Sequence, residues 1–296
     1  MNILTYAAID IGSNAVRLLI KTIYETGHGA VFNKTSLVRS PIRLGEDVFT
    51  NGEISEKTIH RLSDAMHAYR LLMNIHNVDK YRAFATSAMR EAANSDKVIQ
   101  KVKKRSKIKI EVISGDEEAK IIFSSELSEY LHSENHYLYV DVGGGSTEIS
   151  LLNKGKVLAS RSFPIGTVRI LDNKADYAYM EKYVKTWVGK ITKGRHVELV
   201  GSGGNINYIF KSSGKKEGAY LSSHYLTQEY NILKNMTYEE RAETYNMKLD
   251  RADVIVPALE IYVSIMKWAH ASRIYVPKIG AADGMIALMY KEKLGS

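Results

Sequence analysis

The stretch Tyr139–Leu152, YVDVGGGSTEISLL, sets three consecutive glycines between an aspartate and a Ser-Thr-Glu triplet, with strand-like apolar residues on both sides. Glycine inside a sheet is costly, because it gives up the most backbone freedom and offers no side chain to pack. A turn needs one glycine or an Asn-Gly pair. Gly143, Gly144 and Gly145, followed by Ser146, Thr147 and Glu148, therefore point to a place where something approaches the backbone closely.

The same layout occurs near the start of the chain. AAIDIGSNAVRLLIKTIY reads as a strand at Ala7–Ile9, a tight loop at Gly12, Ser13 and Asn14, and a second strand over Val16–Tyr24. Placing Asp10 on Asp141 also places Gly12 on Gly143, which defines an internal repeat. Two copies of one hairpin unit can face each other across a cleft.

Around these hairpins the pattern alternates between sheet and helix, which predicts an α/β fold. Ala30–Val38 reads as a strand, and Ser55 caps a helix on which Ile59, Leu62, Met66, Tyr69 and Met73 recur at helical spacing. Strands follow at Lys80–Ala85 and Lys109–Ser114, with a helix from about Ser87 between them. GDEEAKIIFSSELSEYLH then predicts a helix with Phe123, Leu127 and Tyr130 on one face, and the first domain is expected to end within it. Later, HVELVGSGGNINYIF and SRIYVPKIGAADGMIALMY both read strand, glycine loop, helix. Ligands bind preferentially at such strand ends in open α/β sheets.

Bulk properties narrow the function. With 296 residues, 45% of them hydrophobic and 25% charged, the chain has the composition of a globular protein and length for two domains. No apolar run reaches membrane-spanning length, and no signal-peptide pattern opens the chain, so a cytoplasmic protein with no membrane partner is expected. Zero cysteines excludes disulfides, thiolate catalysis and cysteine zinc sites, and the nine histidines show no ligand spacing. The net charge of +8 is compatible with a polyanionic partner and equally with a role in solubility. No zinc finger, RNA-binding strand or basic recognition helix is evident, so nucleic acid is not expected and phosphate is the feature to follow.

Glycine loops turn backbone N–H groups toward an anion without side-chain bulk. Four follow strands, at Gly12–Asn14, Gly143–Ser146, Gly201–Asn205 with Gly203 within it, and Gly280–Gly284, and none has Walker spacing. Each alone is equally a surface turn; together they suggest phosphate binding. Asp10, Asp141 and Glu148 supply the oxygen ligands that Mg2+ prefers, although a strand-end aspartate also serves an Asx turn. Ser114 and Glu117 fit a capping box, and Asp116 suits the first-turn dipole. Glu118 has no such duty and lies at the edge of the apolar stripe, which makes it a candidate base beside a plain first-turn acid. Arg90, after Thr86 and Ser87, can offer its fork to a phosphate or form an exposed ion pair.

AAIDIGSNAVRLLI, ATSAMREA, ISGDEEAKIIF, YVDVGGGSTEISLL, GSGGNIN and RADVIVPALEIY, in this order and spacing, closely resemble the exopolyphosphatase and guanosine pentaphosphate phosphatase family over essentially the whole chain. The resemblance implies the actin-like ATPase fold, with duplicated ribonuclease H-like domains, here 1–124 and 125–296, flanking an interdomain cleft, and a last helix returning to the first domain. It implies Glu118 as catalytic base and Asp141 and Glu148 as magnesium-associated acids. The hairpins with Gly12, Ser13, Asn14 and Gly143–Thr147 become phosphate-binding loops, Arg90 a contact to the phosphoryl chain and Arg251 a basic residue near the cleft. The expected activity is Mg2+-dependent release of the terminal phosphate from inorganic polyphosphate, with guanosine pentaphosphate as the alternative substrate. A phosphate-binding sensor without turnover is the alternative of another class, and a kinase on the same fold is disfavoured by the intact motif around Glu118. Longer members continue into a helical domain related to HD phosphohydrolases, which is not expected in this chain. Processing of long chains then leaves a homodimer open. Lys120 stands where many members carry arginine, and an arginine often found after the Asp283-Gly284 pair is missing.

Overall fold

The computed structural model describes residues 2–27, 29–124, 135–172 and 177–295. The chain divides into two compact units, Met1–Glu126 with Gly280–Ser296, and Leu127–Ile279. The C-terminal helix Ala281–Leu294 thus belongs to the first unit.

In the first unit β1 (Asn2–Ile11), β2 (Val16–Thr26), β3 (Gly29–Ser40), β4 (Lys80–Ala85) and β5 (Ile110–Val112) form one sheet in the order β3-β2-β1-β4-β5. The β1, β2 and β3 strands form an antiparallel meander, and β1, β4 and β5 run parallel. The inner half of β1, Tyr6–Ile11, is buried without interruption, as a central strand covered on both faces requires. The edge strand β3 is mostly exposed or half-buried. The helix Glu56–Ile75 places Ile59, Leu62, Met66, Tyr69 and Met73 in the core, and Ser55 caps it by accepting from the Thr58 N–H.

The second unit repeats the pattern with β6 (His136–Val142), β7 (Thr147–Asn153), β8 (Lys156–Phe163), β9 (Val197–Ser202) and β11 (Arg273–Tyr275). A further strand, β10 (Tyr220–Ser222), pairs antiparallel at the outer edge, giving the order β10-β11-β9-β6-β7-β8. The duplication reaches the register. Asp10 pairs with Arg17, and Asp141 pairs with Glu148. The irregularity between Ile20 and Lys21 in the β2–β3 ladder recurs between Leu151 and Leu152 in the β7–β8 ladder. Both hairpins close alike, by Gly12 N–H to the Ala15 carbonyl at 3.1 Å and by Gly143 N–H to the Ser146 carbonyl at 2.9 Å.

Several boundaries differ from the sequence reading. β1 begins at Asn2, because its partner β2 runs to Thr26 and the ladder continues beyond the apolar segment. The strand expected over Lys109–Ser114 is three residues long, since Ser114 leaves the sheet to cap the next helix. That helix is described over Gly115–Phe123; the face continuing to Leu127 and Tyr130 lies outside the described residues. Among the described residues no helix is long and apolar enough to cross a membrane.

Candidate functional site

In the second unit the candidate residues gather at the carboxyl ends of β6 and β9 and the start of β7. The Gly143–Ser146 loop is held from behind by the segment after β8. The Gly143 carbonyl accepts from Thr167 N–H at 3.0 Å, Gly144 from Val168 N–H at 2.8 Å, and Gly145 from Arg169 Nε at 2.6 Å. Thr147 Oγ1 donates to the Ile165 carbonyl at 2.6 Å and locks the same segment. Successive peptide carbonyls are thus spent on one side of the loop. Among the described residues no hydrogen bond reaches the N–H groups of Gly144, Gly145 or Ser146. Backbone donors left available by such a loop suit an oxyanion. Gly166 sets the closeness of this packing: a Cβ there would lie 2.4 Å from the Gly144 carbonyl carbon and oxygen.

Beside the loop, Asp141 and Glu148 stand opposite each other in the β6–β7 ladder. Glu148 is only 3% exposed and accepts from Ser162 Oγ at 2.8 Å. Ser202 Oγ lies 3.2 Å from Asp141 Oδ2 and donates to the Ile279 carbonyl at 2.9 Å. Gly203, at φ +110°, brings its backbone against the same carboxylate, where a Cβ would sit 3.2 Å from Asp141 Oδ1. Burial first, and the neighbouring Asp141 carboxylate second, push the Tyr262 hydroxyl well above its ordinary pKa. It stays protonated and donates to the backbone carbonyls of Val140 and Ser202. Like charges opposite each other on a ladder repel, and burying a carboxylate is costly, so this pair favours a shared cation. Its all-oxygen donor set fits a hard divalent ion. Among the described residues no group of three or more acidic or histidine side chains is placed to hold a metal ion. Arg251 stacks over the Tyr208 ring at 4.9 Å, on the helix that begins at Gly204 after the Gly203 turn.

In the first unit the Gly12–Asn14 loop is tied back in the same manner. The Ser13 carbonyl accepts from Gly45 N–H at 2.8 Å and the Asn14 carbonyl from Arg43 N–H at 3.0 Å. Ser13 Oγ is buried in a 2.9 Å hydrogen bond with Ser87 Oγ. Asp10 is in a 2.9 Å ion pair with Arg17, the cross-strand residue that corresponds to Glu148 in the other copy. Arg90 Nη1 donates to the Ile113 carbonyl at 2.8 Å, just before the helix that carries Glu118. On that helix the capping box occupies Ser114 and Glu117, and the Ser114 N–H first and its hydroxyl second hold the Glu117 carboxyl below its usual range. Glu118 is half-buried one position further on. Asp10 thus lies at the carboxyl end of β1, and Ser87 and Glu118 follow the carboxyl ends of β4 and β5.

Sequence reasoning passed over the two segments that hold the loops, Arg43–Gly45 and Ile165–Arg169. A signal for both was available, because Arg43–Gly45 directly follows the Pro41-Ile42 pair, Ile165–Arg169 begins within the Pro164-Ile165 pair, and each contains a glycine.

The model of the Ppx/GppA phosphatase family matches residues 22–293. The chain belongs to the Ppx/GppA phosphatase family. The crystal structure of an exopolyphosphatase from Cytophaga hutchinsonii is similar to this Ppx/GppA chain with a TM-score of 0.87 and 25% identity, over 97% of this chain and 98% of that one. The bifunctional 3-dehydroquinate synthase/phosphatase of Fusobacterium nucleatum is 38% identical over 62% of this chain and 29% of its own length. The guanosine-5'-triphosphate,3'-diphosphate pyrophosphatase of Photobacterium profundum is 26% identical over 95% of this chain and 58% of its own. The Ppx/GppA chain thus spans less than two thirds of these two curated relatives.

Proposed function

We propose that the chain is a Mg2+-dependent phosphoanhydride hydrolase that releases the terminal phosphate of inorganic polyphosphate. The observation that carries this reading is the Gly143–Ser146 loop, whose carbonyls are held by Thr167, Val168 and Arg169 while the N–H groups of Gly144, Gly145 and Ser146 donate to no protein acceptor among the described residues. Such a loop recognises phosphate oxygens and nothing else of a ligand. Gly12, Ser13, Asn14, Gly203, Arg90 and Arg251 extend the phosphate contacts in this reading, and Glu118 orients and deprotonates the attacking water.

Asp141 and Glu148 would hold Mg2+. The ion supplies neutralisation of the charge on the phosphate oxygens when bound. Asp10 is assigned a lesser part, because Arg17 already neutralises it. The absence of cysteine fits a reducing compartment, and we assign the chain to the cytoplasm.

Guanosine pentaphosphate is the second reading, favoured by the likeness to the Photobacterium pyrophosphatase across 95% of this chain. A phosphate-release assay on polyphosphates of several lengths, guanosine pentaphosphate and ATP, each with and without Mg2+, tests the proposal. Release from polyphosphate exceeding that from ATP, and abolished by chelation, is expected. Higher kcat/KM on guanosine pentaphosphate moves the assignment to the second reading. Tight binding of both ligands without release rejects hydrolysis in favour of a sensor.

A further inference from the structure

The geometry points to Gly284, and through it the C-terminal helix Ala281–Leu294, as the element that positions Glu118. The inference rests on the reading of Glu118 as the base. A Cβ at Gly284 would fall 1.9 Å from the Ile121 carbonyl oxygen, 2.6 Å from its carbon and 3.0 Å from Ile122 Cα. These are backbone atoms of the helix Gly115–Phe123, one turn beyond Glu118, so the two helices meet at backbone distance. A second grip lies at the far end of the short helix, where Lys291 Nζ donates to the Ser124 carbonyl at 3.1 Å.

The long helix has no freedom to retreat. Asp283 accepts from the Gly280 N–H at 3.1 Å and pairs with Lys21 Nζ of β2 at 2.8 Å, both side chains being largely buried. Met285, Ile286 and Met289 are fully buried, and Tyr290 meets Phe32 edge-on at 5.4 Å. The helix Gly115–Phe123 has nine residues and three buried side chains, Ala119, Ile121 and Ile122. Added bulk at position 284 therefore displaces the short helix. Ordinary contact begins at 3.4 Å, so relief from 1.9 Å requires a shift of about 1.5 Å, and misplacement on the order of 1 Å costs a reaction about 100-fold. Gly284 is a positioning residue in this account, since its effect passes through the seat of Glu118.

The test is a double-mutant cycle of Gly284→Ala and Glu118→Gln, read by single-turnover phosphate release and by the affinity for tripolyphosphate measured calorimetrically. Gly284→Ala alone is expected to lower the rate about 100-fold with affinity kept within about threefold. In the Glu118→Gln background the same substitution is expected to change the rate less than threefold, because the group it displaces is gone. A full additional loss in that background overturns the inference and leaves the base assignment intact. Near-normal release by Glu118→Gln alone rejects the base assignment instead. If Gly284→Ala does not fold, Lys291→Ala reads the same cycle without inserting bulk: a severalfold loss confined to the Glu118 background supports positioning, and an unchanged rate overturns it.

Discussion

Gly166→Ala isolates the phosphate loop from the rest of the molecule. Gly166 has an extended backbone (φ −152°), so alanine can adopt its conformation and the penalty is steric. The new Cβ would stand 2.4 Å from the Gly144 carbonyl carbon and oxygen and 2.5 Å from Gly145 N, all atoms of the loop backbone. Ordinary contact at 3.4 Å demands a displacement of about 1 Å, in a loop whose value depends on fixed N–H directions. Misplacement of that size corresponds to about a 100-fold fall in kcat/KM, or about 2.7 kcal/mol. Overpacking also costs roughly 1–3 kcal/mol of stability, so urea unfolding is measured beside the kinetics. Gly155→Ala is the control. Gly155 lies in the β7–β8 turn at φ +70° with open space around it, so alanine there costs about 1 kcal/mol of stability and leaves the loop alone. Polyphosphate hydrolysis by Gly166→Ala within threefold of the wild type, in protein shown to be folded, would refute the cradle.

Asp141→Asn and Glu148→Gln should each raise the Mg2+ concentration for half-maximal activity by about tenfold or more, while raising the melting temperature in chelator, because each relieves a like-charge pair. Asp10→Asn should shift the Mg2+ requirement less than threefold and destabilise by about 1–3 kcal/mol, because Asp10 is buried and its loss of charge weakens a part-buried, charge-assisted bond from Arg17; a Mg2+ shift equal to that of Asp141→Asn would contradict the assignment. Glu117→Gln should be less thermostable than the wild type at pH 7. Its folded carboxyl lies below the unfolded value of 4.5, so the charge contributes above that value and is lost as pH falls through the folded pKa, and the gap between the two melting curves should narrow as pH falls below 4.5. A gap that stays constant as the pH is lowered below 4.5 would mean the charge on Glu117 is not what the cap uses.

The duplication was legible because its signals are local. An aspartate, a glycine turn and an apolar return strand recur, and the ladders pair them in the same register. What the register adds is the contrast between the copies, Arg17 opposite Asp10 and Glu148 opposite Asp141. The residues alone offered Asp10 beside Asp141 and Glu148 as an oxygen ligand, and the family resemblance named only the latter two; sequence does not state which side chains share a ladder position. The grips on the loops were hidden for another reason. Thr167 and Val168 reach Gly143 and Gly144 through backbone atoms, which any residue carries, and only the need for a missing Cβ at Gly166 leaves a trace in the sequence. Gly284 was noticed as part of a fourth glycine loop, yet it lies within a helix and serves helix packing against Ile121. Ser13, expected at the phosphate, has its hydroxyl turned into the fold toward Ser87.

Phosphate release from tripolyphosphate by Glu118→Gln, with ligand affinity measured on the same preparation, addresses the central claim most directly. A carboxamide keeps the shape and cannot take the proton of water, so turnover should fall about 1000-fold or more while affinity stays within threefold. Release at a rate near that of the wild type would contradict the mechanism.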